Sequence, residues 1–346
     1  MHAESAVDSD PVTGPHDQTG TEANLARPAG GPGPLMAIGG AEDKIGRRTV
    51  LRTFVSLAGG ANAKIAVVPT ASSLGPEIVD VYDALFRRLG ARDVVAVRPE
   101  SRDEAEDPAA AGLLDDVTGI FMTGGNQLKL SGIVNGTAFG EAVKAAHRRG
   151  VAVGGTSAGA SIQSSHMVAF GTGGTTPKQR MTQLAAGLGL IHDVVIDQHF
   201  EQRNRYGRLL MLVAQSPGLL GIGIDEDTAA VVTEEDGLRL LQVVGRGAVT
   251  LFDGRKVVTN AHEARRTAPL LASGVVLHVL PAGSAFDLTG RQLVDEAPVA
   301  DETEAEERAV AGRGLKRLAR DIAAGDISPS VLRRRRARQS HQGGPA

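Results

Sequence analysis

The chain has 346 residues, a formal net charge of −3, and neither cysteine nor tryptophan. The lack of cysteine excludes disulfides, thiolate catalysis and cysteine-ligated metals, and it fits a reducing compartment, so we expect a cytoplasmic protein. The near-neutral charge argues against a nucleic-acid partner, which requires a broad basic face, and no run approaches the roughly 20 apolar residues of a membrane-spanning helix.

The two ends of the chain differ in composition from its middle. Residues 1–34 are rich in Gly, Pro, Ala, Asp and Thr and contain few large apolar side chains. We predict a disordered leader there, because such a segment cannot bury enough surface to offset the entropy of ordering. Residues 301–346 are charged and contain the basic run 333–336, which predicts a partly helical or disordered tail. A single α/β domain is therefore expected over 35–300.

Short apolar runs alternate with amphipathic stretches along this domain. The runs are 35–38, 65–68, 94–97, 120–122, 151–154, 194–196 and 221–224. Such runs are typical of strands buried on both faces of a parallel sheet. The stretches 78–89 and 139–149 have helical patterns and are followed by Gly90 and Gly150, which suit helix C-termini. The alternation predicts an α/β architecture with a doubly wound, mostly parallel sheet.

The pattern changes at about residue 228. Strand-like segments then follow one another without intervening helices, at 229–233, 238–244, 248–252 and 275–280. The dipeptides Asp236-Gly237 and Asp253-Gly254 are turn signals between them. We expect these segments to form an antiparallel β extension at one edge of the sheet.

The sequence Gly-Thr-Ser-Ala-Gly at 155–159 directly follows the strand-like run 151–154. A serine at a sharp strand-to-helix turn needs small residues two positions before and after it, and its hydroxyl then projects at the carboxyl end of the strand. The pattern therefore predicts that Ser157 is a nucleophile. The backbone N–H of Ala158, at the start of the following helix, is the expected first donor of an oxyanion hole.

A second glycine turn, Thr-Gly-Gly-Asn-Gln at 123–127, follows the run 120–122. Glycine lets backbone amides approach a carbonyl oxygen closely, so Gly125 is the expected second donor. The alternative interpretation is that both glycine turns only close strand-to-helix loops. Two such turns after two strands favour the hydrolase.

The candidate general base is His199, at the end of the strand that begins at Val194. Open α/β sheets bind their ligands at the carboxyl edge of the strands, where this position would lie. The same stretch is crowded with polar residues, namely Asp197, Gln198, Arg203, Arg205 and Arg208. A lone histidine is usually packed or solvent-facing, but these neighbours favour a catalytic role.

Five segments in this order resemble the cyanophycinases of peptidase family S51, which are serine exopeptidases. The segments are Gly-Gly-Ala-Glu-Asp-Lys at 39–44, Thr-Gly-Gly-Asn-Gln-Leu at 123–128, Gly-Thr-Ser-Ala-Gly-Ala at 155–160, Ile-Asp-Gln-His-Phe at 196–200 with its trailing arginines, and Gly-Ile-Gly-Ile-Asp-Glu-Asp-Thr-Ala at 221–229. The resemblance covers roughly residues 35 to 285. It implies a three-layer fold of the flavodoxin-like or class I glutamine amidotransferase-like kind, with no cofactor and no metal.

The resemblance also implies a reaction. Its substrate is cyanophycin, a poly-aspartate that bears arginine on each β-carboxyl, and its products are β-Asp-Arg dipeptides. The nucleophile maps to Ser157 and the base to His199. Substrate recognition maps to Gln127, Asp197, Gln198, Arg203, Arg205 and Arg208. Arginine forks suit the carboxylates of this substrate and Asp197 suits its guanidinium, and the family further implies a homodimer.

The third member of the triad departs from the family pattern. Related enzymes can carry a carboxylate just before a Ser/Thr-Pro pair in the loop between serine and histidine. That position is Thr175 here, and the loop 171–177 contains no acid. The remaining candidate is Glu226, because a carboxylate after the run 221–224 could reach Nδ1 of His199 and fix its tautomer. Alternatively, the acidic cluster orients backbone or binds the substrate guanidinium, which would leave a dyad.

The sequence also leaves two other functions open. A family S51 dipeptidase acting on short Asp-containing peptides would not need the cluster of Arg203, Arg205 and Arg208. A binding or regulatory protein could keep the pocket after losing turnover, which the missing loop carboxylate allows. The intact Ser157 and His199 argue against that interpretation.

Overall fold

The computed structural model describes residues 31–235 and 237–294. The predicted leader, except for residues 31–34, and the predicted tail lie outside these residues. Within the short described part of the leader, the Gly33 N–H donates to the His147 carbonyl oxygen at 2.8 Å. No helix in the described ranges is long and apolar enough to cross a lipid bilayer.

The secondary structure alternates in the first half and becomes strand-rich in the second. The helices are α1 (Thr49–Leu57), α2 (Glu77–Arg88), α3 (Arg102–Glu106), α4 (Pro108–Gly112), α5 (Gln127–Val134), α6 (Ala138–Arg148), α7 (Ala158–Ser161) and α8 (Tyr206–Gln215), with a 3-10 turn at Gly60–Asn62. The strands are β1 (Leu35–Ile38), β2 (Lys64–Val68), β3 (Asp93–Ala96), β4 (Gly119–Met122), β5 (Ala152–Thr156), β6 (His166–Gly171), β7 (Thr182–Ala186), β8 (Val194–Gln198), β9 (Leu220–Ile224), β10 (Thr228–Glu235), β11 (Leu238–Gly245), β12 (Ala248–Asp253), β13 (Val258–Thr259), β14 (Ala272–Ser273), β15 (Val276–Pro281), β16 (Ala285–Asp287) and β17 (Gln292–Leu293).

The main sheet has nine strands in the order β17-β16-β11-β10-β1-β5-β4-β2-β3. The strands from β1 to β3 pair in parallel. The strands from β1 to β17 pair antiparallel. This arrangement confirms the predicted α/β class, with a parallel sheet and an antiparallel extension at its edge.

Strands β8 and β9 do not join the main sheet. They pair in parallel with each other in a smaller sheet of order β15-β12-β9-β8. The expected extension is therefore divided, since β10 and β11 lengthen the main sheet while β12 and β15 lengthen the smaller one. A buried apolar run indicates a strand but does not indicate which of two sheets it joins.

Helices cover both faces of the parallel strands, which gives three layers. Met36 and Ile38 of β1 pack into a cluster with Phe54 of α1 and Phe86 of α2. Ala37, between them, packs into the cluster on the opposite face, to which α5 and α6 contribute. This alternation follows from the two-residue period of a strand. A third cluster joins α8 to β8 and β12 of the smaller sheet.

Candidate active site

Ser157 lies at the sharp turn between β5 and α7. Its backbone has φ of 54° and ψ of −105°, which is strained for a residue with a side chain. The turn is also tightly packed, because a Cβ on Gly155 would lie 2.2 Å from the Gly159 carbonyl oxygen. A Cβ on Gly159 would in turn lie 2.2 Å from the Met122 carbonyl oxygen. Close backbone contacts therefore require glycine at both positions, which lie two residues before and two residues after the serine.

His199 bridges Ser157 and Glu226. Its Nε2 lies 3.0 Å from Ser157 Oγ, and its Nδ1 lies 2.6 Å from Glu226 Oε1. A carboxylate at Nδ1 favours the tautomer that leaves Nε2 free to accept a proton from the serine. Ser157 follows a strand of the main sheet, whereas His199 and Glu226 follow strands of the smaller sheet. The relay of these three side chains therefore spans the two sheets.

The surroundings of the His199 imidazole lower its pKa. Burial lowers the pKa of His199 below its ordinary value, although the hydrogen bond to Glu226 acts to raise it. The positive charge of Arg203 also lowers this pKa. The ring is consequently neutral at neutral pH and able to take up a proton.

The acidic residues on either side of Glu226 have different partners. The Asp225 carboxylate accepts two backbone N–H groups, at 3.0 and 3.1 Å. The Asp227 carboxylate accepts the backbone N–H of Asp43 at 2.8 Å. Within the acidic cluster, Glu226 alone thus reaches the histidine, while its neighbours orient backbone.

Both predicted oxyanion donors lie in turns close to the nucleophile. Ala158 is the first residue of α7, so its N–H has no acceptor within the helix. The turn after β4 lies against Ser157, since a Cβ on Gly124 would be 3.3 Å from the serine Cβ. The next residue, Gly125, has φ of 144°, and a Cβ there would lie 2.0 Å from the Ala71 carbonyl oxygen. Only glycine fits at that position.

Five of the six predicted substrate-binding residues form one hydrogen-bonded chain: Gln127, Gln198, Arg205, Asp197 and Arg208. Gln198 Nε2 donates to Gln127 Oε1 at 3.4 Å. Arg205 Nη1 donates to the side-chain oxygen of Gln198 and to Asp197 Oδ1, the latter at 3.2 Å. Arg208 binds both Asp197 oxygens, with Nε 2.6 Å from Oδ2. The chain runs from the helix after β4 to the helix after β8.

The three predicted arginines have different environments. Arg208 is 2% exposed and its partner Asp197 is 0% exposed, so the pair is fully buried. Burial and the neighbouring arginines lower the pKa of Arg205 to about 10, which leaves it protonated at neutral pH. Arg203 is exposed, and its side chain makes no hydrogen bond or ion pair with a described residue. Spacing in the sequence does not contain this distinction.

The loop 171–177, which includes Thr175, packs against the segment after His199. The Gly174 N–H donates to the Asn204 carbonyl oxygen at 2.6 Å, and the Gly174 carbonyl oxygen accepts the Gly207 N–H at 2.7 Å. Nδ1 of His199 already has the Glu226 carboxylate as its partner.

Among the described residues, no group of three or more acidic or histidine side chains is arranged to hold a metal ion.

The segment 39–44 contacts His199 through its first two residues, Gly39 and Gly40, and the sequence did not indicate this contact. The Gly39 carbonyl oxygen accepts the backbone N–H of His199 at 2.7 Å. Gly40 has φ of 100°, and a Cβ on it would lie 2.2 Å from Cε1 of the imidazole. The double glycine therefore makes room for the His199 ring.

The same segment holds the nucleophile turn through Glu42. Its Oε2 accepts the Thr156 hydroxyl at 2.6 Å, directly before Ser157. Its Oε1 accepts the Tyr82 hydroxyl at 2.5 Å and the Lys44 ammonium at 2.6 Å. Burial acts to raise the pKa of Glu42, but Lys44 and the hydroxyl donors hold it below its ordinary value. In the sequence, the signal that could have pointed to this buried, ionised residue was the segment 39–44, which directly follows the buried strand β1.

Comparisons with known proteins identify a matching family, similar sequences and a similar solved structure. The sequence model described as Peptidase family S51 matches residues 35–241. A cyanophycinase of Trichormus variabilis is 41% identical over 262 residues, covering 75% of this chain and 87% of the relative. A cyanophycinase of Geminocystis herdmanii is 39% identical over 255 residues, covering 73% and 93%. The crystal structure of a peptidase from an acI-B1 actinobacterium has the same fold, with a TM-score of 0.56, 22% identity, and coverage of 75% of this chain and 98% of that one.

Proposed function

This chain belongs to peptidase family S51, and from that premise we propose that it is a serine exopeptidase hydrolysing cyanophycin, the arginine-bearing poly-aspartate, to β-Asp-Arg dipeptides. The relatives named cyanophycinase support the substrate, since their identity of 39 to 41% extends over about three quarters of the chain. The observation that carries the proposal is the relay of Ser157, His199 and Glu226 beside a chain of buried arginines and amides. It combines the groups for acyl transfer with groups for a zwitterionic substrate.

In the proposed acylation step, Ser157 Oγ attacks the carbonyl carbon of an Asp–Asp peptide bond while His199 Nε2 takes its proton. The N–H groups of Ala158 and Gly125 stabilise the oxyanion of the tetrahedral intermediate. His199 then donates the proton to the leaving nitrogen. The C–N bond breaks, the amine product departs, and an acyl-enzyme ester remains on Ser157.

In the proposed deacylation step, the same groups act on water. His199 removes a proton from a water molecule as its oxygen attacks the ester carbon, and the proton passes to Ser157 Oγ when the ester bond breaks. Glu226 keeps the Nδ1 proton in place and stabilises the imidazolium that forms in each step. The lowered pKa of His199 supports this role, because the base starts each cycle unprotonated.

Substrate recognition is proposed for the six residues that the resemblance assigned: Gln127, Asp197, Gln198, Arg203, Arg205 and Arg208. The free guanidinium of Arg203 is suited to bind a substrate carboxylate directly. The buried Asp197–Arg208 pair is suited to hold Arg205, which in turn positions the Gln198 amide. We therefore propose that Arg203 contacts the substrate directly, whereas the Asp197–Arg208 pair supports the wall of the pocket.

The test is incubation of the purified protein with insoluble cyanophycin, followed by identification of the soluble product. We expect release of β-Asp-Arg, and we expect Ser157→Ala to abolish it while the fold remains intact. Residual catalysis should come only from binding and the oxyanion hole. Near-normal turnover by Ser157→Ala would show that Ser157 is not the nucleophile. Cleavage of short Asp-containing peptides without release from the polymer would instead favour the dipeptidase.

We propose further that the enzyme is a cytoplasmic homodimer. Strand β15 is an edge of the smaller sheet, and its residues Leu277 and Val279 are 53% and 59% exposed. Apolar edge strands are normally covered, since they invite pairing with another chain. Sedimentation equilibrium of wild type and of Val279→Lys tests this, because the charged variant should shift the protein toward monomer. The cysteine-free composition supports a reducing compartment.

A further inference from the structure

A cavity of about 260 Å³ lies at the amino ends of β8 and β9, away from the relay. Asp193 precedes β8 and Leu220 begins β9, and both line the cavity. The relay residues follow the carboxyl ends of the same two strands. Since β8 is five residues long, the two sites are separated by about 16 Å along the strand direction.

Three arginines, Arg239, Arg255 and Arg291, line this cavity. Two of them share one buried carboxylate, Asp253, which accepts Arg291 Nη1 at 2.8 Å and Arg255 Nε at 2.8 Å. Arg291 Nη2 also donates to the Gly218 carbonyl oxygen at 2.5 Å. Burial acts to raise the pKa of Asp253, but these hydrogen bonds hold it below its ordinary value. One negative charge therefore faces two guanidinium groups, which are fixed in place.

The third arginine adds a cation without a carboxylate partner. Arg239 Nη1 donates to the His192 carbonyl oxygen at 3.2 Å, and no described acidic side chain pairs with it. Among the residues that line the cavity, the acid is Asp193, which is exposed and likewise makes no ion pair with a described residue. The cavity thus offers an excess of guanidinium donors together with one free carboxylate.

Two residues of the lining have unusual backbone conformations. Asp193 has φ of 63° and Arg291 has φ of 55°, in the left-handed region that residues with side chains seldom adopt. The bonds from Arg291 to Asp253 and Gly218 fix the second of these conformations. The Arg291 guanidinium is consequently held in the cavity wall by two of its own hydrogen bonds.

We propose that this cavity is an exosite that binds a carboxylate-bearing aspartyl-arginine unit of the substrate polymer. Arg239 and the outward face of Arg255 receive the carboxylate, and Asp193 receives the guanidinium. The inference rests on the proposed function, since a repeating polymer can occupy both ends of β8 at once. Binding at a second point raises the effective concentration of chain at Ser157 without changing the chemistry there.

The first test measures binding without hydrolysis. Ser157→Ala protein is mixed with insoluble cyanophycin, sedimented, and the free protein is quantified over a range of polymer concentrations. Adding Arg239→Ala should weaken binding about ten-fold, as expected for loss of a charge-assisted hydrogen bond. The matched control is Arg52→Ala, which removes an exposed arginine of α1 with no described side-chain partner. Equal binding by the Arg239→Ala and Arg52→Ala proteins overturns the proposal.

The second test uses protein with Ser157 intact. Arg239→Ala should lower kcat/KM about ten-fold on the polymer and leave it unchanged on a soluble peptide of two aspartyl-arginine units, which is too short to span the sites. The unchanged rate on the short peptide also shows that the variant is folded. An equal loss on both substrates overturns the exosite. Failure of the proposed function is recognised separately, because wild-type protein would then release no dipeptide, while the binding experiment still decides the exosite.

Discussion

The backbone of Gly40 lies so close to the His199 imidazole that no methyl group fits between them. A Cβ on Gly40 would be 2.2 Å from Cε1 and 2.5 Å from Nε2 of the ring. The position of the His199 ring therefore depends on a glycine about 160 residues earlier in the chain. This dependence is open to direct measurement, because a second glycine with the same backbone angle lies in open space.

We expect Gly40→Ala to displace the His199 ring and to lower kcat by about 100-fold or more, since a shift of about 1 Å in a catalytic group has that cost. The control is Gly90→Ala, because Gly90 also has φ of 100° but has no atom within 4 Å of its added Cβ. That variant should lose about 1 to 2 kcal/mol of stability from backbone strain and keep its activity. Comparable kcat values for the two variants would contradict the steric argument.

Glu226→Gln should lower kcat by about 10³- to 10⁴-fold with little change in KM, because the amide favours the wrong imidazole tautomer. The carboxylate acts to raise the pKa of His199. Its removal should lower that pKa further, so the acid limb of the residual kcat/KM profile should move to lower pH. A purely structural role would not move this limb. Wild-type kcat in Glu226→Gln would show that the carboxylate is not part of the relay.

Introducing Thr175→Glu into the Glu226→Gln protein tests the loop position at which the family resemblance led us to look for an acid. The loop packs against the segment containing Asn204 and Gly207, so we expect the added carboxylate to leave kcat low. Recovery of kcat in the double variant, together with a return of the acid limb toward higher pH, would show that the loop can supply the acid.

The exposed and the buried arginines should respond differently to alanine. Arg208→Ala leaves the fully buried Asp197 without its bidentate partner, so the free energy of unfolding should fall by about 3 to 5 kcal/mol. Arg203→Ala should change it by no more than about 0.5 kcal/mol, yet raise KM for the polymer. The Arg203 charge lowers the pKa of His199, so its loss should raise that pKa and move the acid limb to higher pH. Chemical denaturation measures the free energy of unfolding, and pH–rate profiles measure the shift of the acid limb. Equal destabilisation by the two substitutions would contradict the assignment of Arg208 as a buried support and Arg203 as an exposed side chain.

Glu42→Gln should weaken the anchor of the nucleophile turn. The amide keeps the size of the side chain but removes the charge that binds Lys44 and the hydroxyls of Thr156 and Tyr82. We expect a loss of about 1.5 to 3 kcal/mol in the free energy of unfolding and a lower kcat. Thr156→Val is the companion variant, because it removes only the hydrogen bond next to Ser157. If both proteins turned over at the wild-type rate, the anchor would serve stability alone.

Local patterns in the sequence predicted the parts of the site that depend on neighbouring residues. The turn around Ser157 follows from small residues after a buried strand, and α2 and α6 lie within one residue of their predicted ranges. The meeting of strand ends at the carboxyl edge of a sheet was predictable, but other contacts between distant segments were not, because the period of a strand does not encode its partners. The pairing of Glu42 with Thr156, and the assignment of β8 and β9 to a separate sheet, are of this kind.

Because Ser157 lies after a strand of one sheet and His199 and Glu226 lie after strands of the other, activity should depend strongly on how the two sheets pack against each other. Ser157 follows a strand of one sheet and His199 follows a strand of the other, so a displacement of about 1 Å between the sheets would abolish turnover while every strand stays paired. Inactivation by heat or mild denaturant should therefore precede the loss of circular dichroism. A ligand that binds across both sheets would preserve turnover before it raised the melting temperature. A ligand that separates the sheets would inhibit the enzyme without contacting Ser157, His199 or Glu226.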